Sequence, residues 1–272
     1  MKAVIIRSII FLLVCVAYYG AAAQAPASAV ERGSQIAKAG FRNESEIRDK
    51  FNGWRTDEDA REWLGIMGYD HSLIRNVVAF KPNGQKADVV VLVSDADGPT
   101  YRHGISIKLV STANGFNQID KRWLRQYARM WDMPDNVVSA LRLFLGEDLP
   151  VGVSKRQDRM FLNELADDRQ RAVLDFFRSK KERIAADVIK GEGDGRADWF
   201  MVAWKIAGKD EWKLVPSNVA INFFSEGPVE ITRSGNLRIG RITLQRKGGD
   251  GGRETAKMMQ FKINPVQLFE LK

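Results

Sequence analysis

The chain has one cysteine, Cys15, and two histidines, His71 and His103, in 272 residues. A lone thiol excludes disulfides and a cysteine zinc site, and it leaves no thiol nucleophile in the body of the protein. Two histidines do not make a histidine metal cluster, and both read as loop residues. Charge is not lopsided either: the formal net charge of +8 fits an anionic partner but also occurs on proteins that bind none. With 44% hydrophobic and 10% aromatic residues, the chain has the composition of a globular protein. Its length allows one substantial core or two small ones.

Against that background one stretch stands out, running from Lys86 to Val110. Two apolar runs, Val89 to Val93 and Ile105 to Val110, read as strands joined by a polar loop containing Gly98, Pro99 and Gly104. Strand alternation puts Ile105, Ile107 and Leu109 on one face and Ser106, Lys108 and Val110 on the other, with Asp88 opening the first strand. A carboxylate and an ammonium on one sheet face suit phosphodiester hydrolysis. Asp88 would hold a hard divalent cation through oxygen, while Lys108 would orient the attacking water and offset charge growing on the phosphate. Spacing alone is a loose guide, however. Asp198 with Glu211-Trp212-Lys213 fits the D…ExK pattern literally, whereas the Asp88 set offers Ser106 where a carboxylate is expected.

In chain order, residues 1–25 have a basic start, an apolar run from Ile9 to Ala17 and the A-x-A site Ala23-Gln24-Ala25, the pattern of a secretory signal. A start of translation near Val30 is the other reading, so residues 1–29 are either signal-like or a misassigned extension. A helical stretch follows Gly33 and Ser34. Asn43 then reads as an N-cap with Glu46 three residues on, and Ile47, Phe51 and Trp54 form an apolar stripe. Glu44 is a first-turn acid suited to the helix dipole, or a carboxylate aimed at the metal.

A short helix is expected over Asp57 to Met67, ending at Gly68, and further helices over Pro134 to Leu145 and Asp167 to about Lys190. The loop STANGFNQIDK feeds a helix bearing Trp123, Tyr127 and Met130 or Trp131, and it leaves Phe116 near water between polar neighbours. From Trp199 onward the pattern turns to strands, with a hairpin signal at Ser234-Gly235-Asn236. In QRKGGDGGRETAK, Arg246, Lys247 and Arg253 surround four glycines after Gln245; this is either a loop that approaches a duplex or a hairpin turn with incidental charge.

Four segments, GFRNESEIRDKFNGW, KADVVVLV, ISIKLVSTANGFNQIDKRWL and RITLQRKGGDGGRETAKMMQFKINPVQLFEL, resemble the HinP-type type II restriction endonucleases in the same order. The likeness spans about Gly33 to Leu271. It implies an α/β fold with a PD-(D/E)xK restriction-endonuclease-like core, a mixed central sheet flanked by helices, in one endonuclease domain over residues 30–272. It also implies a magnesium-dependent enzyme, with manganese as a substitute, that cleaves double-stranded DNA at the palindrome GCGC. By this resemblance Asp88 is the metal-binding aspartate, Lys108 the catalytic lysine and Glu44 the glutamate of the first core helix. Phe116, Asn117, Gln118 and Lys121 fall in the string that contacts or enters the recognition sequence, and Gln245, Arg246, Lys247 and Arg253 lie near DNA. A wedge role would explain the exposed Phe116.

One departure bears on activity. The family pattern has Gln two residues before the lysine and this chain has Ser106, a shorter and weaker ligand than a carboxylate. The site would then depend on Asp88, the Ile107 carbonyl, water and the scissile phosphate, with Glu44 acting through water. The departure favours a non-catalytic DNA-binding descendant as one rival, and the signal-like start favours an exported nuclease as another. The family implies a cytoplasmic enzyme with a methyltransferase modifying the same site. A palindrome requires two strand cuts, from a homodimer or from two successive visits.

Overall fold

The computed structural model describes residues 29–96, 98–206, 209–249 and 253–271. The signal-like segment falls outside them, as do Asp97, Asp250, Gly251 and Gly252. Among the described residues no helix is long and apolar enough to cross a membrane.

Among the described residues, two five-stranded sheets carry the architecture. The first has the order β1-β2-β3-β5-β6, from β1 (Ile74–Phe80), β2 (Val89–Asp95), β3 (Thr100–Val110), β5 (Trp199–Ile206) and β6 (Lys209–Pro216). It is mixed: β3 and β5 run parallel and the other neighbours antiparallel. The second is wholly antiparallel in the order β4-β10-β9-β8-β7, from β4 (Asn117–Arg122), β7 (Val229–Ile231), β8 (Leu237–Ile239), β9 (Ile242–Arg246) and β10 (Met259–Ile263). The expected mixed sheet is therefore present, with a second sheet beside it.

The alternation read in Ile105 to Val110 decides how the layers stack. Ile105 and Ile107 face α1 (Ala29–Asn52) and α2 (Glu58–Ile66), packing with Ile47, Phe51, Trp63 and Val91 in one core. Val110 turns the other way, into a larger core shared with Phe261 and Leu244 of the second sheet. That core is closed by α3 (Leu124–Trp131), α4 (Asp135–Leu145), α5 (Asp167–Ser179), α6 (Lys181–Ile189) and α7 (Ser217–Ser225). Trp131 is wholly buried there, stacked on Tyr127 at 4.7 Å between ring centroids. Each large side chain so buried stabilises the fold by roughly 1.5–3 kcal/mol.

Several expectations change. The first helix runs unbroken through Gly40 and Asn43, so Asn43 is not an N-cap; it lies 4% exposed with its amide unpartnered. Packing of one long stripe against the first sheet outweighs the local capping signal. By contrast Asp57 does cap α2, accepting from the Ala60 amide at 2.9 Å. The expected 167–190 helix breaks at Lys180 into α5 and α6. Gly104 lies within β3 and not in the loop before it. A Cβ there would run into the Arg196 carbonyl, so only glycine lets the segment leading into β5 come this close. His103 is a strand residue as well. The strands β1 and β4 and the helix α7 were not among the expected elements.

Candidate active site

Asp88 sits immediately before β2, and its amide donates to the Ile105 carbonyl of β3 at 2.8 Å. That register puts its carboxylate beside the next residues of β3. Asp88 Oδ2 accepts from the Ile107 amide at 2.6 Å, from Ser106 Oγ at 3.3 Å and from Lys108 Nζ at 3.5 Å. Lys108 Nζ also donates to Ser106 Oγ at 3.3 Å and to the Ile107 carbonyl at 2.8 Å. Ser106 is 1% exposed, and its hydroxyl bridges the two charges, donating to Asp88 and accepting from Lys108. The Ile107 carbonyl, expected as a cation ligand, is here held by Lys108.

These groups line a cleft of about 370 Å³ whose opposite wall is β4, through Gln118, Asp120, Lys121 and Arg122. Pairing of β10 with β4 shifts by one residue between Asp120 and Gln118, a bulge that sets Gln118 opposite Lys262. Lys86 holds the bulge: its ammonium donates to the Ile119 carbonyl at 2.6 Å and also to the Val188 carbonyl. Burial drives the Lys86 pKa down to about 8, opposed by Asp120 and assisted by Lys108. Asp120 is gripped by Arg122 Nε at 3.0 Å and by the hydroxyl of buried Tyr127. Burial first, then the Asp120 charge, pushes the Tyr127 phenol up and keeps it a donor. Lys86 thus ties the approach to Asp88 to the strand carrying Gln118.

Phe116 is 63% exposed at the lip of β4, Asn117 opens that strand half-buried, and Gln118 and Lys121 look onto the cleft. The 117–122 stretch is a strand, not the loop and helix start expected. Glu44 stays outside this hydrogen-bonded cluster. Its carboxylate pairs with Lys81 at 2.8 Å, beside a wide depression of about 760 Å³ that includes Phe41, Arg42, Glu46 and Lys50. Charges there are already matched, Lys50 to Asp59 at 2.7 Å and Glu46 to Lys205 at 2.7 Å, so the smaller cleft is the better candidate for chemistry.

The literal D…ExK match does not assemble. Asp198 is hydrogen-bonded to the Gly104 amide at 3.1 Å, at the start of β5, whereas Glu211 pairs with Trp204 and Lys213 with Val202. At about 3.3 Å per strand residue, those positions lie roughly 20 and 13 Å farther along the sheet. Lys213 donates instead to the Leu271 carbonyl at 2.8 Å.

On β9 the expected DNA contacts divide. Gln245 shares the polar face of the second sheet, but Arg246 turns to an ion pair with Asp158 at 2.6 Å and a bond to the Ala256 carbonyl at 3.2 Å. It braces its loop and does not project. The Lys247 amide donates to the Met258 carbonyl at 2.9 Å, and Arg253 is exposed at the far end of that loop.

Sequence reasoning missed Lys86, Asp120 and Gln260. Only the odd run of charge in IDKR, with a buried Asp, hinted at the second. For a cation the donor set is all oxygen. The described hydrogen bonds of Asp88 all fall on Oδ2, leaving Oδ1 without one. Among the described residues no three His, Cys, Asp or Glu side chains converge, so a hard cation held here completes its shell with water and substrate oxygens.

Comparison with known proteins bears on the family and the fold. The family model described as R.HinP1I restriction endonuclease matches residues 67–269. A crystal structure of restriction endonuclease MspI in complex with its cognate DNA superposes with a TM-score of 0.62 at 13% identity, covering 86% of this chain and 92% of that one. This likeness shows a restriction-endonuclease fold, mixed α/β with sheets flanked by helices. No curated protein matches the chain. Since the matched region takes in three quarters of the sequence and both walls of the cleft, the chain belongs to the R.HinP1I restriction endonuclease family.

Proposed function

We propose that this protein is a type II restriction endonuclease of the PD-(D/E)xK kind, hydrolysing double-stranded DNA at GCGC in the presence of Mg2+, with Mn2+ as a substitute. The observation that carries the reading is the convergence of Asp88, Ser106 and Lys108 on one wall of a cleft whose other wall is the Gln118–Lys121 strand. Asp88 would hold the cation, which when bound supplies positive charge to the scissile phosphate and the leaving oxygen. Lys108, released from the Ile107 carbonyl, donates to the attacking water and to a phosphate oxygen, offsetting charge as it grows. Ser106 fixes the distance between the two. Phe116, at the lip, has the exposed aromatic face a base-step wedge needs, with Asn117 next to it, while Lys121, Lys247 and Arg253 lie toward the other end of the second sheet and supply polar and cationic contacts there. Glu44 takes part only if Lys81 gives it up, acting through water. On this reading the enzyme works in the cytoplasm, beside a methyltransferase that protects the host at the same sequence, and cuts the two strands as a dimer or in successive visits.

The buried Ser106 in place of a carboxylate favours one alternative, a descendant that binds GCGC without cutting it. Digestion of unmethylated plasmid by protein starting near Val30, with the ends mapped by sequencing, separates the two. Discrete cuts at GCGC support the nuclease. Intact DNA in Mg2+ and Mn2+ with a specific gel shift on a GCGC duplex supports the binder, and no cut and no shift sinks both.

A further inference from the structure

One face of the second sheet is polar from edge to middle. In the strand register Lys121, Gln260 and Gln245 stand side by side, and Gln118, Lys262 and Thr243 form the next row of the same face. Within it three glutamine amides join head to tail. Gln260 Nε2 donates to Gln118 Oε1 at 2.7 Å, and Gln245 Nε2 donates to Gln260 Oε1 at 3.4 Å. Gln260 is 7% exposed, while Gln118 is open to the cleft.

The direction of this relay has a chemical consequence. An amide offers hydrogens at one end and lone pairs at the other, and its terminal torsion is soft, so an isolated glutamine presents either end. Here the carbonyl of Gln118 is turned inward to Gln260, which leaves its NH2 to face outward. The NH2 of Gln245 is turned inward, which leaves its carbonyl outward. The face therefore shows a donor at the cleft and an acceptor two strands away. In the minor groove a G·C pair is the one complement of that arrangement, because the guanine N2 amine is the one donor any pair supplies there. In the major groove guanine N7 and O6 with cytosine N4–H also match it, but an A·T pair offers an acceptor and a donor too, so there the choice of G·C rests on the proposed GCGC site.

We propose that Gln260 is a specificity-determining residue: buried between Gln118 and Gln245, it fixes both amides so that one donates to and the other accepts from G·C base edges. This rests on the reading of the cleft and its polar sheet face as the DNA site. The bulge at Ile119, pinned by Lys86, is what brings Gln118 within reach of Gln260.

The test compares site preference in the full chain and three variants, by selecting bound duplexes from a library randomised at four base pairs and by sequencing cut ends in Mg2+. Gln260→Glu offers acceptors only, so Gln118 must turn its NH2 inward and show a carbonyl; guanine preference at its base pair is expected to fall about 10- to 100-fold. Gln260→Met leaves both amides unfixed and relaxes preference at two base pairs. Gln245→Glu changes a half-exposed residue, so it avoids the folding risk of a change at buried Gln260, and it breaks the relay from its donor end. It is expected to alter preference at the base pair facing Gln118 as well as its own. A sharp parental preference retained by the Gln260 variants, or a Gln245→Glu effect confined to one base pair, overturns the relay. A parent with no sequence preference overturns the DNA reading itself, and the relay with it.

Discussion

Replacing Ser106 by alanine removes one hydroxyl, 1% exposed, that stands between the two charged groups of the cleft. Both of its hydrogen bonds are long, 3.3 Å to Asp88 Oδ2 and 3.3 Å from Lys108 Nζ. Each partner keeps a shorter one, Asp88 from the Ile107 amide at 2.6 Å and Lys108 to the Ile107 carbonyl at 2.8 Å. A hydrogen bond to a charged group contributes about 1.5–3 kcal/mol, and long geometry puts this one at the lower end. If that energy serves to hold Lys108 in line with Asp88, its loss lowers the chemical rate about tenfold, since about 1.4 kcal/mol is a factor of ten. Substrate affinity stays, because a buried hydroxyl does not touch DNA. Single-turnover cleavage of a short GCGC duplex in Mg2+, alongside a melting curve, reads both quantities. A Ser106→Ala rate within twofold of the parent would refute the bridging role. A loss beyond a thousandfold in a folded variant would refute it from the other side, making Ser106 a ligand in its own right.

The packing around the cleft has other consequences. Tyr127→Phe removes a buried donor to Asp120, at a cost of about 1.5–3 kcal/mol. For a chain of this size that lowers the melting temperature by about 3–10 °C, and an unchanged midpoint in calorimetry would contradict the assigned bond. Gly104→Ala drives a Cβ into the Arg196 backbone, so it should cost at least about 1–3 kcal/mol and loosen the β3–β5 contact, measured as a fall in the urea midpoint. Stability should also depend on acid through His103. Its Nε2 meets the Tyr69 hydroxyl at 2.6 Å and its Nδ1 accepts from Trp199 at 3.3 Å, and burial lowers its pKa below the ordinary 6.5. The unfolded chain therefore takes up the proton first, and stability falls as pH drops through 6.5 toward the folded value. His103→Gln should flatten that limb in urea titrations between neutral pH and about pH 5, and an unchanged limb would remove His103 from the account.

The strands from Val89 to Val93 and from Ile105 to Val110 were legible because buried β-branched runs and strict alternation leave little choice of face. Choosing Asp88 over Asp198 was not legible from spacing. It depends on register, which puts Asp88 beside Ser106 and carries Glu211 six residues away from Asp198. The strand β4 hid because NQIDKR is an edge strand with one polar face and a buried ion pair on the other, so apolar alternation never shows. Asn43 misled for the opposite reason: a good capping residue sits mid-helix because the long stripe of α1 packs across it. Gln260 could not be found at all, since its partner Gln118 is 142 residues away and only sheet pairing brings the amides together.

The central claim is that chemistry occurs at Asp88 and Lys108, not at the literal D…ExK match on β5 and β6. Single-turnover nicking of unmethylated GCGC DNA by Lys108→Ala and Lys213→Ala, both checked for binding by gel shift, tests it most directly. The account predicts that Lys108→Ala binds but does not cut, while Lys213→Ala, which loses only a bond to the Leu271 carbonyl, cuts within a fewfold of the parent. Cutting at parental speed by Lys108→Ala, with loss in Lys213→Ala, would contradict it.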